Sequence, residues 1–329
     1  MSPPRIVFRS LLGPAISAFI AHKRALGRRY ENEERTLRLF DRYLAAAGVG
    51  ELAAISPALV EAFLASRPRS QPRSYNHLRG VLARLFAWLV EQQILAASPL
   101  RVGPRRVTTK RLPFLFSPAE AARLLAVAAG LPERSRAPLR GPTYELIFAL
   151  LFGLGLRVGE VSRLSAADVD LERGLLVIRH TKFSKSRLVP FGPRLGARLA
   201  AYLARREERF GARPAEMPLF CFVGDLPINP GTISQTFHQV LPALELSLPA
   251  GVSPPRLHDL RHSFAVGRLL RWYEEGVEPG ARLFALSTFM GHVNPTSTAE
   301  YLTITAELLR QANRRFEAYA LPALAEPGS

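Results

Sequence analysis

From Arg101 to Pro113 the chain shows no apolar period, two prolines (Pro104 and Pro113), and the basic residues Arg101, Arg105, Arg106, Lys110 and Arg111 without one acid. Such a stretch cannot line a core, because nothing in it recurs at helical or strand spacing and its charges would have to leave water. It divides the 329 residues into two bodies that must each bury their own apolar surface. The expected organisation is a helical domain over 1–100, a basic linker over 101–116, and a second domain over 117–329. The linker either tracks a polyanion or is a solvated connector.

Helical spacing dominates the first body. Apolar residues three and four apart predict helices over 11–25 and 31–47, the second carrying Leu37, Phe40, Tyr43 and Leu44 and stopping at Gly48. Ser56-Pro57 is a cap followed by a first-turn proline, opening a short helix with Val60, Phe63 and Leu64. A longer helix follows over 73–93, with Leu78, Val81, Leu82, Leu85, Phe86 and Leu89 facing inward and Trp88 and Phe86 read as core. The second body opens with a capping box, Ser117-Pro118-Ala119-Glu120. Helices are predicted over 118–129 and 142–152, and Gly153-Leu154-Gly155-Leu156 breaks the second before Arg157. The pattern then changes to strands, β-rich runs over 174–180 and 186–191 that form a hairpin turning at Lys182-Phe183-Ser184-Lys185. Helices return over 193–210 and 232–241. The fold class is mostly α with a small antiparallel β-sheet: a helical amino-terminal domain and a mixed α+β domain.

Charge narrows the function. Lys and Arg number 44 against 27 Asp and Glu, a net +17. Residues 1–112 hold 19 of the bases against 7 acids, a balance of +12, and the remainder holds 25 against 20, or +5. A surface of this sign attracts a polyanion and releases its counterions on binding. No apolar run approaches the ~20 residues of a membrane span, and no signal-peptide pattern follows Met1, so the expectation is a cytoplasmic, nucleoid-associated protein with no membrane partner. Cys221 is the one cysteine, which excludes an internal disulfide and a zinc cluster; it is expected to be a small buried apolar residue.

The chemistry is concentrated in five short motifs: Gly155-Leu156-Arg157-Val158-Gly159-Glu160; Thr181 to Pro190 around Lys182; His258-Asp259-Leu260-Arg261; Gly291-His292; and Tyr301, nine residues beyond His292. Histidines, arginines and a tyrosine are a hydroxyl nucleophile, a base for its proton and donors for phosphate oxygens. In this order the motifs resemble those of the tyrosine recombinases, the phage integrase family, over about 117–310. Leu154 stands where that family usually has a small polar residue and Gly159 where serine is frequent.

The resemblance implies that Tyr301 is the nucleophile that forms a 3′-phosphotyrosyl bond. A phenol titrates near pH 10 and needs a base at neutrality, which is the role implied for His258. Arg157 and Arg261 clamp the non-bridging oxygens. Lys182 protonates the departing 5′-oxygen: the chain has four lysines (Lys23, Lys110, Lys182 and Lys185) against forty arginines, and a lysine can give up a proton where an arginine cannot. Lys185 is read as a phosphate contact. His292 hydrogen-bonds the phosphate or the attacking oxygen. His262, beside Arg261 on a helix, is read as structural and pointing to a different face from it, while Glu160 and Asp259 are either carboxylates that orient Arg157 and neighbouring donors or ordinary helix-start acids.

No cofactor or metal is implied, because cationic side chains take the place of magnesium and no Walker-type loop is present. The implied partners are double-stranded DNA and further copies of the chain, a homotetramer on synapsed DNA with or without sister recombinases. A type IB topoisomerase and a non-catalytic DNA-binding subunit are the rival readings. Two segments stay open: 268–282, with Trp272 and Tyr273, is core, DNA contact or protomer contact, and the stripe Leu308, Leu309, Ala312, Phe316 and Tyr319 over 306–319 is a protomer contact or an intramolecular closing helix.

Overall fold

The computed structural model describes residues 8–107, 112–179, 186–222, 224–277, 279–291 and 298. The chain divides into two compact units, 1–110 and 111–329.

The first unit is four helices: α1 (Gly13–Ala25), α2 (Glu31–Ala46), α3 (Pro57–Ala65) and α4 (Pro72–Glu91). Their apolar stripes converge on Phe19, Leu37, Phe40, Val60, Phe63, Leu82 and Phe86, all fully buried. Edge-on ring contacts lock the centre, Phe40 lying 5.0 Å from Phe63 and 5.8 Å from Phe86. Trp88 is half-buried, 5.6 Å from Phe19. Ser56 caps α3 as its sequence predicts, accepting from the Leu59 N–H. Buried Asp41 pins the start of the chain to α2 by accepting from the Ser10 hydroxyl (2.6 Å) and from the N–H groups of Arg9 and Ser10.

The basic stretch after α4 is irregular over 101–107, yet α4 holds it. Arg79 donates to the Val102 carbonyl (2.8 Å), Asn76 exchanges two hydrogen bonds with the Arg105 backbone, and the Arg105 guanidinium lies 4.0 Å over the Tyr75 ring. Periodicity cannot foresee this, because the contacts run from side chain to backbone and from cation to ring.

The second unit comprises α5 (Pro118–Ala129), α6 (Arg140–Gly153), α7 (Val158–Ser162), β1 (Val169–Asp170), β2 (Leu175–Ile178), β3 (Arg187–Pro190), α8 (Pro193–Phe210), α9 (Pro230–Val240), α10 (Asp259–Glu274) and α11 (Pro279–Met290). The capping box at Ser117 and Glu120 is present. The sheet is antiparallel in the order β1-β2-β3, with Leu175 opposite Pro190 and Ile178 opposite Arg187. Helix α6 is mostly apolar and ten of its fourteen residues are buried, with α5, α8 and α10 against it. Gly141 at its start lies where a Cβ would collide with the Ala129 carbonyl, so only glycine lets α5 and α6 approach this closely. Its core includes Leu146, Ile147, Phe148, Leu150 and Leu151, and each such side chain contributes about 1.5–3 kcal/mol by leaving water.

Helices α10 and α11 share a further cluster containing Leu269, Trp272, Leu286 and Met290. Trp272, in the segment left open by the sequence, is therefore core, with Arg282 6.0 Å over its ring. Cys221 is buried. Among the described residues no helix is long and apolar enough to cross a membrane.

Candidate active site

Three elements of the second unit meet at the carboxyl end of α11. The last carbonyls of a helix lack intrahelical donors, and arginine satisfies them well. Here three consecutive carbonyls are each met by a different arginine. Arg187 Nε donates to the Phe289 oxygen (2.9 Å), Arg261 Nη2 to Met290 (2.8 Å) and Arg157 Nη2 to Gly291 (2.7 Å). Gly291 turns the chain out of the helix at φ 68°. A Cβ there would stand 2.7 Å from Arg187 Nη1, so glycine is required both by the turn and by the guanidinium beneath it.

Arg157 comes to this place from the break after α6. It is the N-cap of α7; its N–H donates to Glu160 Oε2 (2.9 Å) and its Nη1 to Glu160 Oε1 (2.8 Å). Glu160 is 3 % exposed at its side chain and is gripped from the other side by Arg187, Nη1 to Oε1 (3.0 Å) and Nη2 to Oε2 (2.9 Å). Burial alone would raise the Glu160 pKa. The hydrogen bonds and charge of Arg187, then the backbone N–H and charge of Arg157, instead draw it down to about 2. Two guanidiniums around one carboxylate leave a net positive charge.

Arg261 lies on the first turn of α10 and is 1 % exposed. Its guanidinium joins the Gly155 carbonyl to that of Met290, tying the break before α7 to the end of α11. Gly155 has φ 59°, and a Cβ there would collide with the Phe264 ring, so the sharp turn and the packing of α10 both need glycine.

His258 precedes α10 and shares with Arg261, Arg256, Ser234 and His238 the lining of a cavity of about 360 Å3. The ring of His262 meets it edge-on at 4.8 Å. His262 follows Arg261 and so points to a different side of α10 from it, while one turn of the helix brings residues 258 and 262 to the same face. Asp259, fully buried, accepts from the Arg256 N–H and guanidinium (both 2.9 Å), with His262 Nε2 4.0 Å away. The His258 pKa is pushed down to about 4, first by burial and then by the charges of His262, Arg261 and Arg256, against the pull of Asp259. By surface area His258 is exposed, so water screens the burial effect; the neighbouring cations act in the same direction. At neutrality the ring is an unprotonated acceptor.

The sign for stability follows. The folded unit binds the His258 proton more weakly than the unfolded chain, so its contribution is present above about pH 6.5 and is lost as pH falls toward about 4. His262 is shifted in the same direction by burial. The melting temperature is expected to fall more steeply over that window in the wild type than in His258→Asn. Parallel curves would remove the claim.

Of the predicted residues, Arg157 and Arg261 are brought onto adjacent carbonyls, and His258 onto the cavity that Arg261 lines. Lys182, His292 and Tyr301 lie outside the described residues, as do Lys185 and the stripe over 306–319. Arg187 was missed. Its signal was available: it stands two residues from buried Val189 on β3 and so shares its inward face, and an arginine on the inward face of a strand requires a buried acid, which Glu160 supplies. A larger cavity of about 590 Å3, lined by Arg163, Asp168, Arg179 and Glu216 beside Glu160, contains none of the six predicted catalytic residues.

Comparison with known proteins identifies the family. Residues 116–307 match the model of the phage integrase family. The chain is 36 % identical to y4rB of Sinorhizobium fredii, a protein named as an integrase/recombinase, over 92 % of this chain and 96 % of that one. It is 29 % identical to the tyrosine recombinase XerD of Ralstonia nicotianae, over 84 % and 83 %. Among solved structures, the Tn1549 transposon integrase in complex with transposon right end DNA superposes with TM-score 0.62 at 17 % identity, covering 93 % of this chain and 99 % of that one. A lambda integrase dimer bound to a COC′ core site gives 0.61 at 17 %, covering 89 % and 77 %. With its arginine-held helix end and a family match over most of its second unit, the chain belongs to the phage integrase family, the tyrosine recombinases, enzymes that cleave and rejoin DNA strands.

Proposed function

We propose that this protein exchanges strands between specific DNA sites, with Arg157, Lys182, His258, Arg261, His292 and Tyr301 as its catalytic residues. The phenolic oxygen of Tyr301 attacks phosphorus and its proton passes to neutral His258. The bond to the 5′-oxygen breaks, and Lys182 protonates that oxygen. The resulting 3′-phosphotyrosyl bond conserves the energy of the phosphodiester, so a 5′-hydroxyl from a second duplex reverses the step without a nucleotide or a metal. Arg157, Arg261 and His292 stabilise the charge on the phosphoryl oxygens. Exchange of one strand pair produces a four-way junction, and exchange of the second pair resolves it, on four protomers that synapse two duplexes in the nucleoid.

The observation that carries this reading is the joint anchoring of Arg157 and Arg261 on the consecutive carbonyls of residues 290 and 291, which fixes two guanidiniums relative to one another before substrate arrives. The excess of positive charge in residues 1–112 supports the first unit and its tethered basic segment as the main electrostatic contact with the duplex. The DNA-bound forms of the Tn1549 and lambda integrases support the choice of ligand.

The test is denaturing capture of covalent protein–DNA adducts from a fragment library of the host replicon, in EDTA. Adducts through a 3′ end, mapping to one short sequence, are expected. DNA binding without any adduct would favour the accessory-subunit reading, and relaxation of plasmids without synapsis would favour a topoisomerase.

A further inference from the structure

We propose that Arg187 is a positioning residue for strand cleavage, which takes up the charge of Glu160 and holds the end of α11 so that Arg157 presents an uncancelled positive charge to phosphate. The inference rests on the reading of Arg157 as a phosphate clamp.

Glu160 is the carboxylate beside Arg157, and both of its oxygens also face Arg187 at 2.9–3.0 Å. Without Arg187, a buried carboxylate would face a single guanidinium and cancel the charge meant for the substrate. Arg187 also makes a contact that no charge argument requires. Its third nitrogen, Nε, donates to the Phe289 carbonyl, and the guanidinium lies under Gly291, the residue before His292 in the chain. One planar fork therefore couples β3, α7 and the end of α11. Its side chain is 11 % exposed, which makes it a partner of Glu160 rather than a phosphate ligand in its own right.

A buried ion pair seldom adds net stability over an apolar replacement of the same volume. The arrangement is therefore explained by what it does to Arg157. If the role is compensation, removing both charges should restore what removing one destroys. If it is packing, the two losses should simply accumulate.

The experiment uses the full chain in two assays: single-turnover adduct formation on captured target DNA, and the rise in melting temperature with inorganic sulfate. The part of the sulfate response lost in Arg157→Ala defines the site. Arg187→Met is expected to slow adduct formation by about 10–100-fold, the usual cost of removing a group that orients a functional side chain. It should also lose the site's sulfate response. The double variant with Glu160→Gln should regain both, in large part. Arg187→Lys keeps the charge but not the fork, so it should keep the sulfate response and lose part of the rate; it also serves should Arg187→Met fold poorly.

Wild-type behaviour of Arg187→Met, a double variant no better than Arg187→Met, or an Arg187→Lys without the sulfate response would each overturn the proposal. If the wild type forms no adduct, the strand-cleavage reading fails separately, and the sulfate titration still decides the role of Arg187.

Discussion

Arg261→Ala is expected to slow strand cleavage by about 10²–10³-fold, the cost of one preorganised donor to a developing oxyanion, and to destabilise the second unit at the same time. Both effects have the same origin. The guanidinium is 1 % exposed and is the donor that the carbonyls of Gly155 and Met290 share. Truncation strands two buried acceptors, each at about 1–3 kcal/mol, and loosens the break that carries Arg157 against the end of α11. Arg261→Lys separates charge from geometry, because one ammonium cannot reproduce a fork directed at two carbonyls. It is expected to recover little of the rate. Calorimetric melting and single-turnover cleavage, both measured well below the variant's transition, check the two halves. A folded Arg261→Ala that cleaves at the wild-type rate would remove Arg261 from the chemistry.

Tyr301→Phe is expected to abolish adduct formation completely while leaving DNA affinity intact. Phenylalanine keeps the ring and deletes only the oxygen proposed to form the new bond to phosphorus, so on that assignment no other group completes the same step. DNA affinity comes instead from the basic surface, which the substitution does not alter. Adduct capture and filter binding on one preparation of each protein give the answer. Persistence of a protein–DNA bond in Tyr301→Phe would mean a different nucleophile and would overturn the assignment.

Much of this molecule is legible along the chain. The helices of the first unit follow from apolar residues three and four apart, and Ser56 and Ser117 mark helix starts because each side chain accepts a backbone N–H of its own helix's first turn, a contact that needs no tertiary fold. The hairpin strands follow from β-rich runs on either side of a turn signal, and the order of five motifs carries the family. These are local properties: spacing, capping and residue chemistry act within one or two turns.

The site itself depends on contacts of long range. Arg187 meets Glu160 across 27 positions, Arg261 meets Gly155 across 106, and Arg157 meets Gly291 across 134. No periodicity encodes such pairs, because what selects them is the need of buried charges and helix-end carbonyls for partners once the core has closed. The sequence by itself determined the ordered motifs that carry the family and where helices and strands begin. Only the tertiary structure decided that three arginines converge on the carbonyls of residues 289, 290 and 291, that His262 lies against His258, and that Trp272 is core, because each of these follows from how elements distant in the chain pack together.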